Sequence, residues 1–533
     1  MPDLRPDMML AEMLKAVNPL DHVTAARLVE LLDPSTPWNR SLWTLSTVLT
    51  LREITEAAEA NRAGILGEDS LKRLCSLATR VVGKDPGVLE SEKGVLNDSL
   101  RTSPRYDGLG YHAVSQLADR IETQYIIRWA TALDSHRPPQ AERTARSIAA
   151  HLLDRGLSSE LLFSWFTRLL YQDPAEPNLS EVLGLVQTEL VALPQIKFEI
   201  LIAFKNSPKS ASGFPKGWLK SNELSRWLRE NHFGVANVRP SGGLILTIVA
   251  RDARGAAQLA ADRIDHFVAR SSVATNVPLE PWPDIWVRGE NATFPYGPRP
   301  RGVRVKALYR EDQLFSESDT TVDAAIELLA HLESSSASAA IAGGWAAIEA
   351  LLAEPGNRSG AADSLASIVA CSLPRAELTV LSYIAERNCR DLQDELRACN
   401  ENRERAQVVA RSIAEGHMLN LRRHSDIAAY LRIQKLLLSP SKVLSDIQSH
   451  LADALNRLYR QRNLVLHGGR TNSVALSGSL RTASKLVGAG MDRIAHAWYV
   501  RNMRPIELAA RSKLAIQLVP DGDPLACVNL LGM

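Results

Sequence analysis

The chain has 533 residues, enough for two to four domains of ordinary size. With 45% apolar and 23% charged residues, its composition excludes a disordered chain, a collagen-like repeat and a pure coiled coil. A net charge of +2, from 62 basic and 60 acidic side chains, excludes a uniformly basic nucleic-acid binder but not a locally basic one.

The N-terminal stretch Met1-Pro2-Asp3-Leu4-Arg5-Pro6-Asp7 is polar and acidic, with no basic n-region leading into an apolar run, so no signal peptide is expected. The five cysteines, Cys75, Cys371, Cys389, Cys399 and Cys527, include no C-x-x-C pair. They point to neither a disulfide framework nor a structural zinc site. The most apolar run, Ala339 to Ala353, contains Glu349 and is shorter than a bilayer span. A reduced, cytoplasmic protein with no membrane segment is expected.

Residues 1–193 read as a helical domain. Leu20 to Leu32, Leu42 to Ala58, Val114 to Leu133 and Ala141 to Leu153 carry apolar residues at three- and four-residue spacing. Breakers at Asp33-Pro34, Lys84-Asp85-Pro86, Arg137-Pro138-Pro139 and Asp173-Pro174 separate them. Ala145 to Leu170, broken at Arg155-Gly156-Leu157, has the outline of a helix-turn-helix. Its second helix offers only Arg168 to a nucleic acid, so an αα-hairpin is the better reading and a DNA-binding regulator the weaker one.

Residues 194–319 read as a small α+β domain. Strands are expected at Ile196 to Ala203, Gly242 to Val249 and Val303 to Tyr309, and helices at Lys220 to Glu230 and Ala256 to Ala269. The stretch Pro278 to Arg301, with six prolines, is expected to be irregular. Gly242-Gly243 precedes a strand rather than a helix, so it is no phosphate loop.

Residues 320–533 become helical again, giving a mainly α protein overall. Thr321 to Ala353 is expected as one long helix, with Ser334 to Ser338 as a polar surface or linker. Further helices are expected at 361–388, 391–415, 426–438, 441–467 and 483–500.

The helix Ser441 to His467 carries the chemistry. Leu444, Ile447, Leu451, Leu455, Leu458 and Val465 form a core-facing stripe at 100° per residue, and Arg462 falls inside it. A guanidinium there requires an anionic partner or a groove. Tyr459, Asn463 and His467 form a second row at i, i+4 spacing. On an ideal helix His467 lies about 140° from Arg462, so the two meet only if the helix end unwinds or a second subunit contributes. Gly468 is suited to the left-handed cap. Arginine and histidine together suit phosphodiester cleavage: the imidazole moves a proton and the guanidinium holds the phosphate. An Arg and a His near a helix end also serve simply as solvated caps of the last carbonyls, and the spacing alone leaves that alternative open.

The string Tyr459-Arg460-Gln461-Arg462-Asn463-Leu464-Val465-Leu466-His467-Gly468-Gly469 resembles the R-x4-6-H signature of HEPN domains. The closing His-Gly-Gly and the upstream Trp345-Ala346-Ala347-Ile348-Glu349-Ala350-Leu351-Leu352 resemble the ApeA-like branch of that family. The resemblance covers roughly residues 320–500. It implies a helical bundle that forms a homodimer and brings two motifs into one cleft. It also implies a metal-independent endoribonuclease that needs no cofactor and acts as a toxin or effector in anti-phage defence. By motif match, Arg462 and His467 are the catalytic pair and Asn463 the polar companion, with Glu349 and Tyr459 as supporting residues. RNA is the implied partner, and a phage-derived or nucleic-acid trigger is expected, sensed or answered by the preceding 319 residues. The alternative is a non-catalytic HEPN module for RNA binding or dimerisation.

Charge is uneven along the chain. Residues 401–510 hold 17 Lys and Arg against 8 Asp and Glu, and Ala454 to Met491 holds six basic residues and no acidic one. That field is what a phosphate-binding cleft needs, while the rest of the chain is net acidic and part of it is placed to shield the helix.

Overall fold

The computed structural model describes residues 19–171, 178–208, 213–234, 240–297, 300–317, 319–356 and 359–532. It is mainly helical, with a five-stranded antiparallel sheet in the middle of the chain.

The N-terminal helices are α1 (Pro19–Leu32), α2 (Thr47–Arg62), α3 (Glu68–Gly83), α4 (Glu90–Arg101), α5 (Leu109–Leu133), α6 (Ala141–Asp154), α7 (Ser159–Tyr171) and α8 (Leu179–Leu185). The helix expected from Leu42 begins five residues later, because Ser46 is extended and its hydroxyl accepts the Leu49 N–H as an N-cap. The core of this region includes Ile54, Leu74, Tyr125 and Trp129, all buried.

One buried group there sets an acid limit. His151 stacks on Tyr125, with ring centroids 4.3 Å apart, and neither ring nitrogen has a hydrogen-bond partner among the described residues. Burial, helped by Arg155 and Arg52, pushes its pKa down to about 3. The folded protein keeps this imidazole neutral while the unfolded chain protonates it near pH 6.5. Its contribution is therefore present above that pH and lost as pH falls, at a cost of about 2 kcal/mol between pH 7 and 5. His151→Phe keeps the stacking without buried nitrogens. Thermal melts at pH 7 and 5 are expected to show a shallower acid destabilisation in the variant, with no loss of stability at pH 7.

The middle region holds β1 (Ile196–Phe204), β2 (Trp218–Lys220), α9 (Ser221–Glu230), β3 (Gly242–Ala250), α10 (Ala253–Ala274), β4 (Pro281–Val287) and β5 (Phe294–Pro295). The sheet order is β2-β3-β1-β4-β5, and every neighbouring pair is antiparallel. Alternation along β1 divides the faces. Ile200, Ile202 and Phe204 join the core beneath α10, whereas Leu201 and Ala203 join Leu224 and Trp227 of α9. Two expectations are corrected here. The proline-rich stretch supplies β4 and β5, since Pro281 sits at the register shift of the β1–β4 ladder and Ile285-Trp286-Val287 pair with Ile202-Leu201-Ile200. The segment Val303 to Tyr309 is no strand: Val303 inserts into the C-terminal core and α11 (Ala307–Arg310) follows.

The C-terminal region contains α12 (Thr321–Ser334), α13 (Ala337–Leu352), α14 (Gly360–Asn388), α15 (Arg390–Ala398), α16 (Asn402–Ala414), α17 (His424–Leu438), α18 (Pro440–Leu466), α19 (Leu476–Arg501) and α20 (Pro505–Leu518). The long helix expected over Thr321 to Ala353 is instead a hairpin of α12 and α13. Ser335 is extended, and Gly343 lets the arms close, since a Cβ there would meet Leu328 O and His331 Cβ at 2.7 Å. The helix expected over 391–415 breaks at Cys399, which is extended, into α15 and α16. By length and composition α14 is apolar enough to cross a membrane, but it is largely buried and packs against α13, α16, α18, α19 and α20.

The N- and C-terminal regions meet extensively. α1 packs on α17, where Arg40 bridges Glu377 at 3.0 Å and Asp426 at 3.3 Å.

Candidate functional site

The apolar stripe of α18 packs as its periodicity predicts: Leu444, Leu451, Leu455 and Leu458 are fully buried in the C-terminal core. The opposite side of the helix is buried as well, against the N-terminal region. Arg457 donates to Glu53 of α2 at 2.9 Å, and Arg460 donates to the same carboxylate at 2.9 and 3.1 Å. All three side chains are buried. Burial alone raises the Glu53 pKa, but Arg457 and Arg460 outweigh it and hold the carboxyl below its usual range. Leu464, one turn on, belongs to the N-terminal core.

The end of α18 brings Arg462 and His467 together within one chain. The helix stops at Leu466, and His467 has φ −96° and ψ −27°. The helix end does not unwind as expected: His467 N–H still donates to Asn463 O at 2.9 Å and Gly468 N–H to Leu464 O at 3.1 Å, and the long Arg462 side chain itself reaches round to place Nη1 2.9 Å from His467 Nε2. The same Nη1 donates to Asn463 Oδ1 at 2.9 Å, and Arg462 Nη2 lies 3.9 Å from Glu349 Oε2 on α13. Glu349 is thus the anionic partner that a guanidinium on the core stripe requires. Arginine has no acceptor atom, so Nε2 of His467 accepts and carries no proton in this arrangement. His467 is exposed and Arg462 half-buried. Tyr459 packs its ring on Trp345, with centroids 4.8 Å apart, so its first role is to join α18 to α13.

The turn after His467 differs from expectation. Gly469, not Gly468, takes the left-handed conformation, at φ +62°. Gly468 is needed for space: a Cβ there would meet Leu464 O at 2.7 Å and Ile65 Cδ1 at 3.0 Å. Gly468→Ala is expected to push the chain off α18 and carry His467 away from Arg462, costing more stability than Gly469→Ala. The latter has open space and costs about 1 kcal/mol of backbone strain. Paired thermal melts check the order.

No family model, curated protein or solved structure matches the chain. The chemistry of the site therefore rests on its own geometry.

That geometry revises the charge reading. The basic residues around the motif do not form an open positive face, because acids distant in sequence neutralise them. Besides the Glu53 pair, Arg470 meets Glu59 at 3.3 Å and Arg481 bonds Asp154. Lys485 donates to the carbonyls of Pro34 and Thr36. Beside α18 and α3 lies a cleft of about 970 Å³ whose wall includes Tyr459, Asn463, Lys72, Arg73 and Arg80. Neither Arg462 nor His467 lines it. The contribution of α3 was missed from sequence, although Lys72, Ser76 and Arg80 recur at i, i+4 spacing on one face. His424 is half-buried and stacks on His22 with centroids 5.2 Å apart, while His450 is exposed.

Proposed function

We propose that the protein is a HEPN-type endoribonuclease that cleaves RNA by attack of the ribose 2′-OH, with Arg462 and His467 as the catalytic pair. The single observation that carries this reading is the 2.9 Å contact between Arg462 Nη1 and His467 Nε2. The incoming phosphodiester competes for the guanidinium, since its anionic non-bridging oxygens are stronger acceptors than a neutral imidazole nitrogen. Arg462 turns to it, and the released Nε2 lone pair takes the 2′-OH proton. The 2′-oxygen then bonds to phosphorus and the bond to the 5′-oxygen breaks. The ends are a 2′,3′-cyclic phosphate and, after protonation, a 5′-hydroxyl. The nucleophile belongs to RNA, so the step needs no metal-activated water. Asn463 orients the guanidinium and Glu349 balances its charge. A second copy of the motif, brought by a homodimer of the C-terminal helical bundle, supplies the proton for the leaving oxygen.

In this reading residues 1–319 restrain the nuclease. The contacts of Glu53, Glu59 and Ile65 with α18 and the turn after it motivate this, because they hold the helix that carries the motif. The biological setting is a cytoplasmic effector or toxin in anti-phage defence, released by a phage-derived or nucleic-acid trigger. The second reading, a HEPN module that only binds RNA or dimerises, draws support from the neutralised charge around α18, which weakens the pull on a substrate.

The test is incubation of the full-length protein with total RNA in EDTA, followed by end analysis. Cleavage that leaves 2′,3′-cyclic phosphate and 5′-hydroxyl ends is expected. Retention of RNA in a gel shift without cleavage favours the second reading.

A further inference from the structure

The turn that follows the motif rests on the N-terminal region at two points. A Cβ on Gly468 would lie 3.0 Å from Ile65 Cδ1, just past the end of α2. Arg470 Nη1 donates to Glu59 Oε2 at 3.3 Å, in the last turn of α2. The other oxygen of Glu59 accepts from the Tyr111 hydroxyl at 2.8 Å. Tyr111, at the start of α5, packs on Tyr106 with ring centroids 5.3 Å apart. Arg62, the last residue of α2, places its Cζ over the Tyr106 ring, 4.7 Å from the centroid. A chain of contacts therefore runs from Arg470, three residues after His467, through Glu59 and Tyr111 to the Arg62–Tyr106 pair.

This pair lies at the surface. Arg62 is exposed, and Tyr106 is 38% exposed. The Arg62 guanidinium forms no hydrogen bond or ion pair among the described residues, so its N–H groups are left to water. The nearby carboxylates are engaged: Glu59 by Arg470 and Tyr111, and Asp107 by His112 at 2.9 Å. Ser103 and Asp107 bracket the ring in the left-handed region, at φ +52° and +60°, and so fix how the connection from α4 to α5 presents it. An exposed aromatic ring that carries a guanidinium is what an unpaired nucleobase stacks on. A base inside a duplex offers no free face to either group.

We propose that the Arg62–Tyr106 pair is a stacking site for an unpaired base of the RNA strand that flanks the bond cleaved at Arg462 and His467. The proposal rests on the nuclease reading for the identity of the ligand. It adds that residues of the N-terminal region complete the substrate site and select single-stranded over duplex RNA.

The experiment is fluorescence polarisation of a labelled 2′-fluoro RNA oligonucleotide, which lacks the attacking hydroxyl, with the full-length protein in EDTA. The same sequence is tested as a duplex. The single strand is expected to bind more tightly than the duplex. Tyr106→Ala and Arg62→Gln are each expected to weaken single-strand binding by about tenfold, within the range for one stacked base, and to leave duplex binding unchanged. Tyr106→Phe keeps the ring and should bind as the wild type does. With cleavable RNA, Tyr106→Ala should raise KM by about the same factor and leave kcat near the wild-type value. Unchanged single-strand affinity in Tyr106→Ala, a duplex bound as tightly as the single strand, or no binding by the wild type each overturns the proposal. So does a marked drop in melting temperature for Tyr106→Ala together with weaker duplex binding, which would make the pair structural. Cleavage with unchanged KM in Tyr106→Ala removes this site and leaves the nuclease reading standing. Single-strand binding that depends on Tyr106, without cleavage of natural RNA, removes the nuclease reading and supports the site.

Discussion

Replacing His467 by alanine is expected to reduce RNA cleavage by about a thousandfold or more while leaving thermal stability near the wild-type value. A positioned base contributes roughly 10²–10⁴ to such a step, and a single donor that stabilises the phosphoryl oxygens contributes roughly 10²–10³. Arg462→Ala is therefore expected to fall comparably. The double variant should be little worse than either single one, because the two groups act as a unit. His467 is exposed, so its loss removes little packing. Arg462→Lys keeps the charge but not the planar fork whose Nη1 reaches Asn463 and His467 while Nη2 faces Glu349, and should recover little of the activity. Single-turnover cleavage of a labelled RNA measures all four. Cleavage at the wild-type rate in both alanine variants would remove the assignment of the site.

Glu53→Gln is expected to be the most destabilising single change at the junction of the N- and C-terminal regions. It leaves Arg457 and Arg460 buried with no carboxylate, and breaking a buried ion pair from one side costs about 3–5 kcal/mol. Replacing all three side chains together, as Glu53→Leu with Arg457→Met and Arg460→Met, should recover most of that loss, because the desolvation of three charges goes with them. The native carboxyl titrates below its usual range, so its contribution is present above about pH 4.5 and is lost as pH falls through the lowered value. The Glu53→Gln variant should accordingly lack this part of the acid limb. If residues 1–319 restrain the nuclease, the variant should also cleave RNA faster than the wild type at temperatures where it remains folded. A destabilisation below about 1 kcal/mol would mean that the cluster is solvated in solution.

Some of this was legible in the residues alone. The 3.6-residue stripe of α18 reports burial directly, because that face of the helix meets a single apolar core. Prolines and small polar residues misled where their local meaning was overridden. Pro281 sits at a register shift where no N–H is missed, and Ser335 breaks a helix whose composition favours continuing it. The turn after α18 was placed one residue early, since Gly468 and Gly469 are alike in sequence and only the neighbouring Ile65 and Leu464 separate their roles.

What the sequence by itself determined was the succession of helical, α+β and helical segments, the buried stripe of the motif helix, and the requirement that Arg462 find an anion. Each follows from local periodicity or from the cost of burying one charge. Only the tertiary structure decided the rest. The Arg462 side chain reaches His467 round a helix end that stays wound, Glu349 supplies the anion, and Glu53, Glu59 and Asp154 neutralise a segment that reads as strongly basic. Electrostatics depends on distance in space, and these partners are separated from the basic residues they meet by 113 to more than 400 positions along the chain.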